Sequence, residues 1–170
     1  MEPQPHSAAD TTSSASTPVV DERVWKMVQR HLGYSAEEIE RFKTDPRNLD
    51  VLSKKTAMKS KTIVLEVVES HGCNSGHRVG DRFYFDAAGN LLTERCPRNV
   101  CGYALNSAMM MVFAANEMIF AGMDANRMRF RRSGCFDVGL QCGGWGRVVL
   151  ELRVEGNSPD GDNAAQQASA

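Results

Sequence analysis

Two short clusters hold the residues best able to do chemistry. Cys73 and His77 are separated by Asn-Ser-Gly, and Cys96 and Cys101 by Pro-Arg-Asn-Val. Thiolate sulfur and neutral imidazole nitrogen are the donors zinc prefers, and four of them close a structural site. Both local spacings resemble short zinc knuckles, so Cys73, His77, Cys96 and Cys101 form a candidate metal set with zinc as the implied ion. Cys135 and Cys142 offer alternative ligands. A blander account treats the cysteines as small buried hydrophobes, the commonest fate of a free thiol.

A third account makes Cys96 reactive. Arg95 and Arg98 flank it, and a helix expected to begin near Pro97 would aim amide donors and partial positive charge at its sulfur. His77 is the candidate proton partner, and Asp81 is the nearby carboxylate that could orient the imidazole. Farther along, Arg127, Arg129 and Arg131 alternate as on a strand. Pointing one way, they would suit a phosphate, carboxylate or CoA-like anion. The same pattern also fits a charged edge strand that discourages unwanted pairing. Gly72, Gly76 and Gly80 make no phosphate loop, because no Lys-Ser/Thr or helix start follows them.

These residues need elements to hold them. Residues 21–56 read as a helical arm in three pieces. Asp21 caps the first, Ser35-Ala-Glu-Glu38 has capping-box spacing, and Pro46 opens the third where no amide donor is missed. A basic stretch around Lys54–Lys61 reads as a linker. Thr62–Val68 is apolar on both faces, as in a central strand. Further strands are expected at Asp81–Phe85, Leu91–Glu94, Arg127–Arg131 and Arg147–Val154. Leu105–Ala121 is a helix apolar nearly all round, which predicts burial by the sheet on one side and by the arm or a partner on the other. The fold class expected is α+β: an antiparallel sheet of four to five strands over residues 62–155, packed by one long helix.

The motif Cys73-x-x-Gly76-His77-x-Val79-Gly80-Asp81, followed by Cys96-Pro97 and an apolar helix, resembles a family of small uncharacterised bacterial and archaeal α+β domains. The resemblance covers about residues 62–154. It implies a compact sheet-and-helix domain with Cys73, His77, Asp81 and Cys96 at the matched motif positions. The chain departs from that pattern in its arm at 21–56, in Cys101 and in the Cys135/Cys142 loop.

Composition bounds the rest. With 170 residues, 42% of them hydrophobic, and a formal charge of −1, the chain has room for one domain of ordinary size. Residues 1–20 and 156–170 are small and polar and read as disordered tails. No apolar run is long enough to predict a membrane span. The charge balance does not suggest nucleic acid, and Phe130 sits in no stacking pattern. Free cysteines without a secretory start point to a reducing cytoplasm. The function expected is a small accessory or structural subunit of a cytoplasmic metabolic enzyme complex, as a homodimer or bound to a larger subunit. The alternative is a stand-alone enzyme using a metal-bound water or the Cys96–His77 pair.

Overall fold

The computed structural model describes residues 19–156. The tails expected at 1–20 and 156–170 therefore lie almost wholly outside the described residues. The chain divides after Ser53 into two compact units. The first holds three helices: α1 (Glu22–Leu32), α2 (Ala36–Lys43) and α3 (Pro46–Ser53). Asp21 caps α1 by accepting from the Arg23 amide, and Gly33 ends it at a φ of 70° that favours glycine. Ser35 and Glu38 form the reciprocal capping box that their spacing predicts. Val24, Trp25, Val28 and Ile39 bury one another, with Phe42 edge-on to Trp25 at 6.4 Å.

The second unit is α+β. A short helix, α4 (Lys55–Lys59), stands where the linker was expected. It leads into β1 (Lys61–His71), followed by β2 (Arg82–Asp86), α5 (Gly102–Phe120), β3 (Arg132–Gly134) and β4 (Arg147–Gly156). All pairings are antiparallel, in the order β2-β1-β4-β3. The central place of β1 follows from its sequence: Ile63, Val64, Leu65 and Val67 are all buried, as a strand covered on both sides requires.

Two expected strands change. Leu91 makes one isolated bridge to Phe85, and Thr93–Arg95 curls into a 3-10 turn instead of extending a strand. The alternating arginines do not form a strand either. Asp124 accepts from the Asn126 amide and starts a 3-10 turn over Ala125–Arg127, so strand structure begins only at Arg132.

Helix α5 lies on the sheet through a single stripe. Ala104, Ala108, Val112, Ala115 and Ile119 recur every three or four residues and pack on Phe83, Phe85, Leu150 and Leu152. Three of those five positions are alanine, which lets the helix axis approach the sheet closely. Met111 and Met118 are half-buried beside this core, whereas Tyr103, Met110 and Phe113 face outward. Among the described residues no helix is long and apolar enough to cross a membrane. Ala108 has no exposure, so Ala108→Leu should overpack the seam and cost about 1–3 kcal/mol in urea unfolding. Met110→Ser on the outer face should cost less than about 0.5 kcal/mol. Equal losses from the two would contradict this placement of the helix.

Candidate functional site

The chain builds a cavity where three segments meet at one end of the sheet. The first is the loop from Gly72 to Asp81, which leaves β1 and is stitched back to it. Gly80 donates its amide to the Val67 carbonyl, and Val67 donates to that of Asp81. Ser70 Oγ donates to the His77 carbonyl at 2.6 Å. These bonds fix His77 with its ring buried, edge-on to Phe83 at 5.1 Å. Asp81 Oδ2 accepts from the Arg78 amide at 2.9 Å and lies 3.5 Å from His77 Nδ1. His77 Nε2 is buried and has no hydrogen-bond partner among the described residues. A buried ring nitrogen left unpaired is costly.

The second segment is the start of α5. Cys101 is the residue that caps the helix, in extended backbone, and its side chain closes no cap hydrogen bond of ordinary length. Its thiol titrates below the usual range. Burial alone would push it up, but the Ser75 hydroxyl and the amides of Ala104 and Tyr103 more than offset that. Ser75 belongs to the His77 loop, so the two segments meet at this sulfur.

The third segment is the glycine-rich loop from Cys135 to Gly146, and Asp137 organises it. Its carboxylate accepts from the amides of Gly139, Trp145 and Gly146 at 3.0–3.1 Å. The backbone at Gly146 approaches that of Gly72 so closely that a Cβ on Gly146 would collide with the Gly72 carbonyl. Cys135 Sγ accepts from the Val148 amide at 3.2 Å and donates to the Asp137 carbonyl at 3.3 Å.

Together these walls enclose about 510 Å³, lined among others by Cys73, His77, Cys101, Tyr103, Cys135 and Trp145. That volume lies within the range of small-molecule sites. Of the sequence candidates, Cys73, His77 and Cys101 share the cavity, with Asp81 behind His77. Cys96 does not line it. Its half-buried sulfur accepts from the Tyr84 amide at 3.4 Å and donates to the Leu92 carbonyl at 3.2 Å, tying β2 to the turn after it. The helix expected to start near Pro97 starts at Gly102, so its amides face Cys101 and not Cys96. Cys142 is exposed on the outside of its loop.

The arginines are also placed differently. Arg131 and Arg132 both turn to Glu151, at 3.8 and 3.0 Å, and Arg129 lies over the Phe130 ring. Arg127 ends the 3-10 turn. Among the described residues, no three His, Cys, Asp or Glu side chains stand together in a group that could hold a metal ion.

Three contributors were missed in the sequence: Ser75, Asp137 and Trp145; Cys135, an alternative ligand in the sequence, also lines the cavity. Trp145 is 76% exposed and lines the cavity. Asp137, between Phe136 and Val138 in a run rich in glycine, carried the only available signal. An acid there often collects the amides of its own turn.

Three amide hydrogen bonds, those of Gly146 and Gly139 foremost, hold Asp137 below its usual pKa; burial works in the opposite direction. Its contribution to the loop is therefore complete above the ordinary carboxylate range. It declines as pH falls below that range and is gone beneath the lowered folded value. Trp145 emission, read in a Trp25→Phe background, should stay constant from neutral pH through the ordinary carboxylate range and change only below it. Asp137→Asn should show the altered emission already at neutral pH. A wild-type transition centred at or above the ordinary range would contradict the assignment. Comparison of the chain with protein-family models, curated proteins and solved structures found no match.

Proposed function

We propose that the second unit is a cysteine-dependent enzyme acting on a small molecule, with Cys101 as nucleophile, His77 as proton carrier and Asp81 as the carboxylate that positions the imidazole. The observation that carries this reading is the state of His77. Its Nδ1 lies 3.5 Å from Asp81 Oδ2, its buried Nε2 has no partner among the described residues, and His77 lines the cavity that Cys101 also lines. A nucleophile, a base and a group orienting the base are the parts such chemistry requires. No hydrogen bond joins His77 to Cys101 among the described residues, and in such sites that contact commonly tightens only around substrate. The lowered thiol pKa supports the choice of Cys101 over Cys73 and Cys135, the last of which is engaged with Val148 and Asp137.

A second reading, as a subunit of a larger assembly, is favoured by the outer face of α5. Tyr103, Met110 and Phe113 are 72%, 74% and 57% exposed at helical spacing. An apolar stripe of this kind is a candidate contact for a second copy or for a larger subunit. The two readings are compatible, since Met110 and Phe113, unlike Tyr103, do not line the cavity.

Alkylation tests the first reading. Iodoacetamide should modify Cys101 ahead of the other four cysteines, with a pH midpoint below that of a free thiol. Ser75→Ala should move that midpoint up, because it removes a hydrogen bond that lowers the pKa. His77→Gln should change the pH profile of turnover without abolishing helix content. A Cys101 that reacts no faster than the exposed Cys142 would remove the nucleophile from the proposal. For the second reading, light scattering should find an assembly that Phe113→Glu dissociates; a monomer throughout would contradict it.

A further inference from the structure

We propose that Cys73 and Cys101 are a redox pair that reduces a hydroperoxide, with Cys101 taking the oxygen and Cys73 closing on it as a disulfide across the cavity. This rests on Cys101 being the nucleophile and names the substrate class of that site. Cysteines from three separate segments line the one cavity: Cys73, Cys101 and Cys135. All three are free and half-buried. A group transfer at one thiol needs no second thiol. A two-electron reduction does, because an oxidised sulfur must be resolved by another thiol before it climbs to irreversible states.

The contact that singles out Cys73 runs through its own turn. Gly76 donates its amide to the Cys73 carbonyl at 3.0 Å, so Cys73 and Ser75 share one tight turn. The Ser75 hydroxyl bonds the Cys101 sulfur. Cys101 Sγ therefore lies against the turn that carries Cys73. A disulfide needs its two Cα atoms within about 4.4–6.8 Å of each other. The turn has room to adjust to that, since no atom lies within 4 Å of where a Gly76 side chain would begin.

The other thiols are held or lie elsewhere. Cys135 Sγ is fixed between the Val148 amide and the Asp137 carbonyl, at 3.2 and 3.3 Å. Cys96 is anchored in the same way and does not line the cavity. Cys142 is exposed and borders a different hollow, with His71 and Leu140. Among the described residues Cys73 has neither of the backbone anchors that hold Cys96 and Cys135. The amide and hydroxyl donors around Cys101 favour its thiolate, the form that attacks peroxide oxygen.

The oxidant is the substrate, R–O–OH, with R hydrogen or a small organic group. Cys101 Sγ attacks the terminal oxygen, the S–O bond forms and the O–O bond breaks. The leaving alkoxide takes the thiol proton and departs as ROH, leaving Cys101 as a sulfenic acid. Cys73 Sγ then attacks Cys101 Sγ. The S–S bond forms, the S–O bond breaks, and hydroxide leaves with the Cys73 proton as water. Two thiols have been oxidised by two electrons and one O–O bond reduced. A cellular dithiol restores both thiols by exchange.

The test gives the full reduced chain one equivalent of hydrogen peroxide and, separately, iodoacetamide. Peptide masses without reductant should show a Cys73–Cys101 disulfide as the main product, with two thiols lost per peroxide consumed. Cys73→Ser should abolish that disulfide and leave a Cys101 sulfenic acid that dimedone traps. Cys101→Ser should leave Cys73 a thiol. The wild-type map decides the matter even if a variant fails to fold. If Cys101 alkylates ahead of the other cysteines but peroxide yields no Cys73–Cys101 disulfide, the redox pair is overturned and the nucleophile stands. A disulfide to Cys135 instead would overturn the role of Cys73. If Cys101 neither alkylates nor oxidises faster than Cys142, both readings are overturned.

Discussion

The long antiparallel pairing of β1 with β4 decides where chemistry can occur in this chain. The ladder runs from Lys61 opposite Gly156 to His71 opposite Arg147, so the two strands stop side by side. Whatever follows β1 and whatever precedes β4 must therefore meet. At that junction the chain carries Gly72 and Gly146, and no other residue type would allow the backbones to come so close. The loop bearing Cys73 and His77 is thus pressed against the loop bearing Cys135 and Trp145. Helix α5, seated on the same sheet by its alanine stripe, brings its first turn to the gap between them.

Three of the thiols show how environment assigns roles to one residue type. Cys96 and Cys135 each accept a backbone amide and donate to a backbone carbonyl, so their sulfurs act as structural links. Cys101 instead faces amide and hydroxyl donors, which favour the thiolate. The same logic separates the carboxylates. Asp137 is saturated by three loop amides and serves architecture. Asp81 accepts from one amide, that of Arg78, and lies 3.5 Å from His77 Nδ1.

Much of the architecture was legible because its causes are local. Asp21, Ser35 with Glu38, and the apolar runs of β1, β4 and α5 each signal their element through neighbours in the chain. The arginine strand failed for an equally local reason that alternation conceals: Asp124 caps a turn that takes in its first residue, Arg127. The start of α5 was harder to read. Pro97 is a good opening residue, yet the helix waits until Gly102, where the alanine stripe first meets the sheet. That shift transferred the electrostatic argument from Cys96 to Cys101 without altering its physics. The convergence of Cys73, His77 and Cys101 was anticipated in part. Ser75 and Trp145 were not, because their places are set by the β1–β4 register, which no local pattern encodes.

The account stands on the proposal that His77 serves Cys101 through Nε2, with Nδ1 turned to Asp81. Nitrogen-15 spectroscopy of the His77 ring tests this most directly, because the two tautomers differ in which nitrogen carries the proton. The account predicts the proton on Nδ1, toward Asp81, a bare Nε2, and an Nε2 resonance that shifts when Cys101 is alkylated. A proton resident on Nε2, with a spectrum indifferent to the state of Cys101, would contradict it.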